Sequence, residues 1–165
     1  MPAADRPVVV NSTPIVALAG IGRLDLLRCL APEVLVPPAV WQELESGGER
    51  PGGLADLAAA PWIKAAALDD SAGAALLADL DPGEAEVIAL ARQVGARLVV
   101  IDDRLGRHHA ARLGLPVTGT IGVLVLAKER RLVDEVLPLL RRLEENGFFL
   151  SQRLKTWVRA RSGEE

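Results

Sequence analysis

The sequence predicts an α/β protein with a central, mostly parallel sheet of four to five strands and helices on both faces. Two observations carry this. Short apolar runs alternate along the chain with segments of helical periodicity, which is the pattern of βαβ units. The runs are also continuously apolar, as strands buried on both faces must be. The 165 residues suffice for one domain with one sizeable core. We expect that domain to span 1–165, with its core at about 8–147. Half the chain is hydrophobic and only 3% aromatic, so Leu, Val, Ile and Ala must build the core.

"VVV" (Val8–Val10) predicts the first strand, and Thr13-Pro14 predicts the helix start that follows. Thr is a good N-cap and Pro is favoured at the first helical position, which gives a helix over Pro14–Ala19. Asn11 is then a polar amide left over between a buried strand and a helix already capped. A helix over Leu24–Leu30, a strand over Val34–Val36 and a helix over Pro38–Leu44 come next. The breaker-rich stretch Ser46–Pro61 reads as a surface loop carrying a short helix. Trp62–Leu68 reads as an edge strand. Helices over Ala72–Leu80 and Pro82–Val94 precede the strand Leu98–Ile101, then a helix over Arg104–Leu113 and a strand over Pro116–Thr118. The remainder reads as helices over Ile121–Glu129, Val133–Glu145 and an amphipathic C-terminal helix at about 150–161.

Composition excludes several classes. A net charge of −3 argues against a protein that coats nucleic acid through bulk positive charge. No apolar run reaches the ~18 residues of a membrane span, and the first residues show no signal-peptide pattern. The single Cys29 fits a reducing compartment. We therefore expect a cytoplasmic protein. "GIGRLD" (Gly20–Asp25) follows a helix and lacks a third glycine, so it is not a dinucleotide site.

In an open parallel sheet the ligand site lies beyond the carboxyl ends of the strands, where the helix N-termini also gather. Asn11, Asp102 and Asp103 follow strands and fall on that edge. "DPGE" (Asp81–Glu84) forms a capping box, with Asp81 as N-cap and Glu84 three residues in. Helical phase also puts Glu84 on the apolar stripe of Val87, Ile88 and Ala91, whereas Glu86 points about the opposite way and reads as solvent-facing. Glu43 flanks the Val40/Leu44 stripe and, taken alone, reads as a solvated glutamate.

Carboxylates about 4 Å apart repel by about 4 kcal/mol at an effective dielectric near 20. Several in one pocket call for a cation, and oxygen-only donors point to Mg²⁺ or Mn²⁺. The adjacent His108 and His109 diverge by about 100° on a helix and cannot chelate one ion together.

The ordered set "VVVNST", "VPPAVWQELE", "LDPGEAEVIALA", "VVIDDRLGR", "GTIGVLVLAK" and "GFFLS" resembles the PIN domain over nearly the whole chain, Val8 to about Leu154. PIN proteins are metal-dependent ribonucleases and include the VapC-type toxins of toxin–antitoxin pairs. The chain is most similar to a PIN-like subfamily that shares these motifs and carries Asn in place of the first Asp. The resemblance implies a three-layer α/β/α PIN-like fold. It implies a site built from Asn11, Glu43, Glu84 and Asp102, with Glu43, Glu84, Asp102 and Asp103 as metal ligands. Eighteen residues separate Glu84 from Asp102, the spacing expected for the family. Asp103 reads either as an auxiliary ligand or as the N-cap of the next helix. Ser12 or Thr13 reads as a cap, with a hydrogen bond to a metal-bound water as the alternative role, and Thr120 reads as an N-cap, with binding of water or phosphate as its alternative. Arg104 and Arg107 contact RNA phosphate or else hold the carboxylates by salt bridges. The implied activity is an endoribonuclease using Mg²⁺ or Mn²⁺, acting as a toxin, and the alternative is a catalytically weak RNA- or protein-binding module. The implied partners are an RNA substrate, an antitoxin and a second copy of the chain as a homodimer.

Overall fold

Val8–Val10 (β1) forms the middle of the structure because three consecutive β-branched residues can be buried on both faces of a sheet. All three are fully buried. In the computed structural model, which describes residues 1–165, β1 pairs in parallel with β2 (Val34–Val36) on one side and β4 (Leu98–Val100) on the other. The register sets Val9 beside Leu35 and beside Val99. β3 (Ile63–Ala65) closes one edge, as expected, and β5 (Val117–Thr118) the other. The strand order β3-β2-β1-β4-β5 is parallel throughout.

This order positions the site. The chain builds outward from β1 to β2 and β3, then crosses back to lay β4 and β5 on the other side of β1. The direction of winding therefore reverses between β1 and β4, and a crevice opens there at the carboxyl ends. Ten helices pack against the sheet and one another. They are α1 (Ser12–Gly20), α2 (Asp25–Arg28), α3 (Pro38–Ser46), α4 (Leu54–Ala59), α5 (Ala72–Ala75), α6 (Pro82–Val94), α7 (Arg104–Arg112), α8 (Thr120–Glu129), α9 (Leu137–Glu145) and α10 (Gln152–Ser162). Among them α3 packs on α6, α1 on α3 and α8, and α10 on α8. The result is a three-layer α/β/α arrangement. None of these helices is long and apolar enough to cross a membrane.

Several boundaries differ from expectation for physical reasons. α1 begins at Ser12, with Asn11 rather than Thr13 at the N-cap position. Pro14 is tolerated one turn in because the first turn's N–H groups have no intrahelical partner. α9 begins at Leu137 instead of Val133. Continuing it upstream would drive the Pro138 ring against the carbonyl four residues earlier. α5 ends at Ala75 instead of Leu80, and the next residue, Leu76, is largely exposed, so no core draws the helix onward. α2 covers only Asp25–Arg28 of the expected Leu24–Leu30. The loop after α3 does carry a short helix, α4. In α10 Val158 is fully buried while Trp157 remains 46% exposed.

Candidate functional site

Asn11 stands at the carboxyl end of β1, where its backbone N–H donates to the Val100 carbonyl of β4 at 3.0 Å. It is only 5% exposed and occupies the cap position of α1, yet its side chain accepts nothing from the helix's first turn. Asn11 is thus buried at the strand end with its side chain uncommitted to capping. The next residue, Ser12, is not a cap or a spectator. Its hydroxyl donates to Oε2 of Glu43 at 2.7 Å, joining α1 to α3. Glu43, exposed on its own helix, is thereby turned toward the carboxyl edge of the sheet.

Glu84 lies in the first turn of α6, and its N–H donates to Oδ1 of the N-cap Asp81 at 2.8 Å. The Glu84 carboxyl is pushed up to about 7, first by burial and then by the negative charges of Asp81 and Asp103. A carboxyl at that value marks a partly desolvated site with other negative charge close by.

Asp102 follows β4 and is the most firmly oriented acid. Its Oδ1 accepts the Thr120 N–H at 2.7 Å and its Oδ2 accepts the Thr120 hydroxyl at 2.6 Å. Burial still raises its carboxyl above the ordinary range, against the lowering effect of those two bonds and of the Arg107 charge. Thr120 is therefore not the N-cap of α8. Gly119 holds that position, and the fully buried Thr120 is the first helical residue, its side chain spent on Asp102. Arg107 donates through Nη1 to the Asp102 main-chain carbonyl at 2.6 Å, so it holds the strand end directly rather than by an ion pair with a carboxylate. Asp103 caps α7, its Oδ2 accepting the Gly106 N–H at 2.8 Å. Arg104 is exposed.

Glu86 is not solvent-facing. Its Oε2 accepts the Ala39 N–H at 2.8 Å and so caps α3 from a neighbouring helix. The signal for this was present in "VPPA": Pro37 at the cap and Pro38 after it offer no capping side chain, so the donor of α3 needs an acceptor from elsewhere. His109 pairs with Asp79 at 2.8 Å and tethers α7 to the segment before α6.

The switch point therefore gathers Asn11, Glu84, Asp102 and Asp103 from β1, α6, β4 and α7, with Glu43 bound in through Ser12. The acids do not form a closed cage, since no group of three or more His, Cys, Asp or Glu could hold a metal ion as they stand. Beside them a cavity of about 540 Å³ runs along α1, touching the centre at Ser12, its apolar lining supplied by Val16, Ala17, Pro51, Leu143 and Phe148.

No curated protein matches the chain. A family model described as a PIN domain matches residues 7–164, which takes in all five strands and all ten helices. The match extends over the whole sheet and every acid described above, and the chain belongs to the PIN-domain family.

Proposed function

We propose that this PIN domain is an endoribonuclease dependent on Mg²⁺ or Mn²⁺, and that it serves as the toxin of a toxin–antitoxin pair. The observation that supports the enzyme reading best is the strained electrostatics of the switch point: a Glu84 carboxyl raised to about 7 beside Asp81 and Asp103, with the half-buried Asp102 nearby. A cation relieves that repulsion. The donor set is all oxygen, which suits Mg²⁺, and because that ion keeps several of its waters a closed protein cage is not required. Glu43, Glu84 and Asp102 would hold it, with the Asn11 carbonyl oxygen as a neutral donor and Asp103 as an auxiliary one. When bound, such an ion makes water a better nucleophile and neutralises charge developing on the phosphate.

The chain's own groups do the positioning. Ser12 holds Glu43 by its hydroxyl, Thr120 holds both oxygens of Asp102, and Arg107 holds the end of β4. The exposed Arg104 is available to a phosphate oxygen. The toxin role, an antitoxin partner, a homodimer and a cytoplasmic location rest on the resemblance to VapC-type proteins and on composition.

A second reading is favoured by Asn11, which supplies no charge where family members usually carry aspartate. It is a catalytically weak module that holds RNA. One experiment separates the two. Purified protein incubated with single-stranded RNA and Mn²⁺ is expected to cleave it, and Asp102→Asn is expected to abolish cleavage. Equal products from both proteins would contradict the enzyme reading, and RNA binding without cleavage would favour the second.

A further inference from the structure

Two glycines at the acidic centre are glycine for a reason the backbone does not supply. Gly83 is the second residue of α6 and Gly119 precedes α8 with φ −117° and ψ −174°, so neither adopts the left-handed conformation that favours glycine. Within a helix, glycine is worse than alanine. What both lack is room. A Cβ on Gly83 would stand 2.5 Å from Oε1 of Glu43, and one on Gly119 would stand 2.7 Å from Oδ1 of Asp102 and 3.3 Å from Nη1 of Arg107.

We propose that Gly83 and Gly119 are positioning residues for the acidic centre, their bare Cα atoms forming the seats in which the Glu43 and Asp102 carboxylates rest. Gly83 lets Glu43 reach from α3 to the start of α6, so that one oxygen lies on α6 while the other takes the Ser12 hydroxyl. Gly119 lets Asp102 close on Thr120 with both oxygens. The two seats differ in stiffness. The atom opposing Gly83 is the far end of a long, exposed side chain, so an added methyl displaces Glu43 while the fold stays intact. The atom opposing Gly119 belongs to a short carboxylate already held at two points, so an added methyl there strains the strand end.

The consequence for metal binding rests on the proposed nuclease reading, but the geometry is testable without metal. In the crystal structure of metal-free Gly83→Ala we expect the Ser12–Glu43 hydrogen bond to be broken and the carboxylate moved, with the rest of the chain superposing. A Glu43 carboxylate left in place overturns the proposal. Thermal melting of the same variant should show no loss, since alanine suits the helix; a large loss with Glu43 unmoved would assign Gly83 a purely structural role. Calorimetric titration with Mn²⁺ supplies the third readout. Gly83→Ala should weaken binding about tenfold or more, the usual size of an outer-shell effect. Added to Glu43→Ala, it should change affinity by less than about twofold, because no carboxylate remains to be displaced. Independent, additive losses overturn the proposal. A wild-type protein that binds no Mn²⁺ would sink the nuclease reading, and the Gly83→Ala structure would still decide the seat.

Discussion

Glu84 shows how a single residue reports on its surroundings. As the third residue of α6 its main chain satisfies Asp81, which any helix start of this kind requires. Its carboxyl is a separate matter, because burial and two neighbouring acids hold it at about 7 against an ordinary 4.5. A carboxyl raised in the folded state binds more protons than in the unfolded state between those values, so stability falls as pH rises through the window. In metal-free protein we expect Glu84→Gln to raise the melting temperature at pH 8, and the gain to shrink to nothing at pH 4.5 and below. A variant with the same offset at both pH values would show that the charge of Glu84 is not what strains the site. The placement of Asn11, Glu84 and Asp102 at the carboxyl edge of the sheet was legible in the sequence. Each follows a strand or opens a helix, and Glu84 falls on a buried helical stripe. Thr120 was not legible as the partner of Asp102. That contact joins the loop after β4 to the first residue of α8, 18 residues along the chain, and local pattern favours a cap for any Thr at a helix start.

The pairing of α3 with α6 places Glu43 beside the start of the central helix, and it depends on residues that look unremarkable in isolation. Helical phase read Glu86 as solvent-facing because phase measures direction relative to the sheet, whereas the group it serves belongs to a neighbouring helix. Its carboxylate takes the Ala39 N–H at the proline-led start of α3, a bond that neither Pro37 nor Pro38 can replace. Losing a helix cap costs about 1 kcal/mol. Urea unfolding of Glu86→Ala should show a loss of that order, and Glu86→Gln, which keeps an acceptor oxygen, should lose less than half as much. Wild-type stability in Glu86→Ala would remove Glu86 as the clasp between these helices. Element boundaries followed the same logic. Those fixed by a local event were readable, as α6 was from Asp81-Pro82 to its left-handed Gly95. The start of α9, set by Pro138, was equally available in the sequence, though apolar periodicity beginning at Val133 obscured it.

Across the whole molecule the strand order decides where chemistry can occur. β1 and β4 lie side by side although β2 and β3 come between them in the chain, and this crossover sets Asn11 against the end of the strand that leads into Asp102. The parallel sheet was legible from its unbroken apolar runs, and the pairing order was not, because no local signal states which buried strand lies beside which. α6 supplies the third side of the crevice with Glu84, and α3 reaches in with Glu43 through Ser12. The centre is therefore assembled from four segments distant in sequence, each held by a hydrogen bond or a close glycine contact of its own. We propose that this assembly is a cation site. A crystal of the protein soaked in Mn²⁺ tests it most directly, because manganese is identified by its anomalous signal. An anomalous peak is expected among Glu43, Glu84 and Asp102, with Asn11 at its edge. A crystal at saturating Mn²⁺ with no peak there would contradict it.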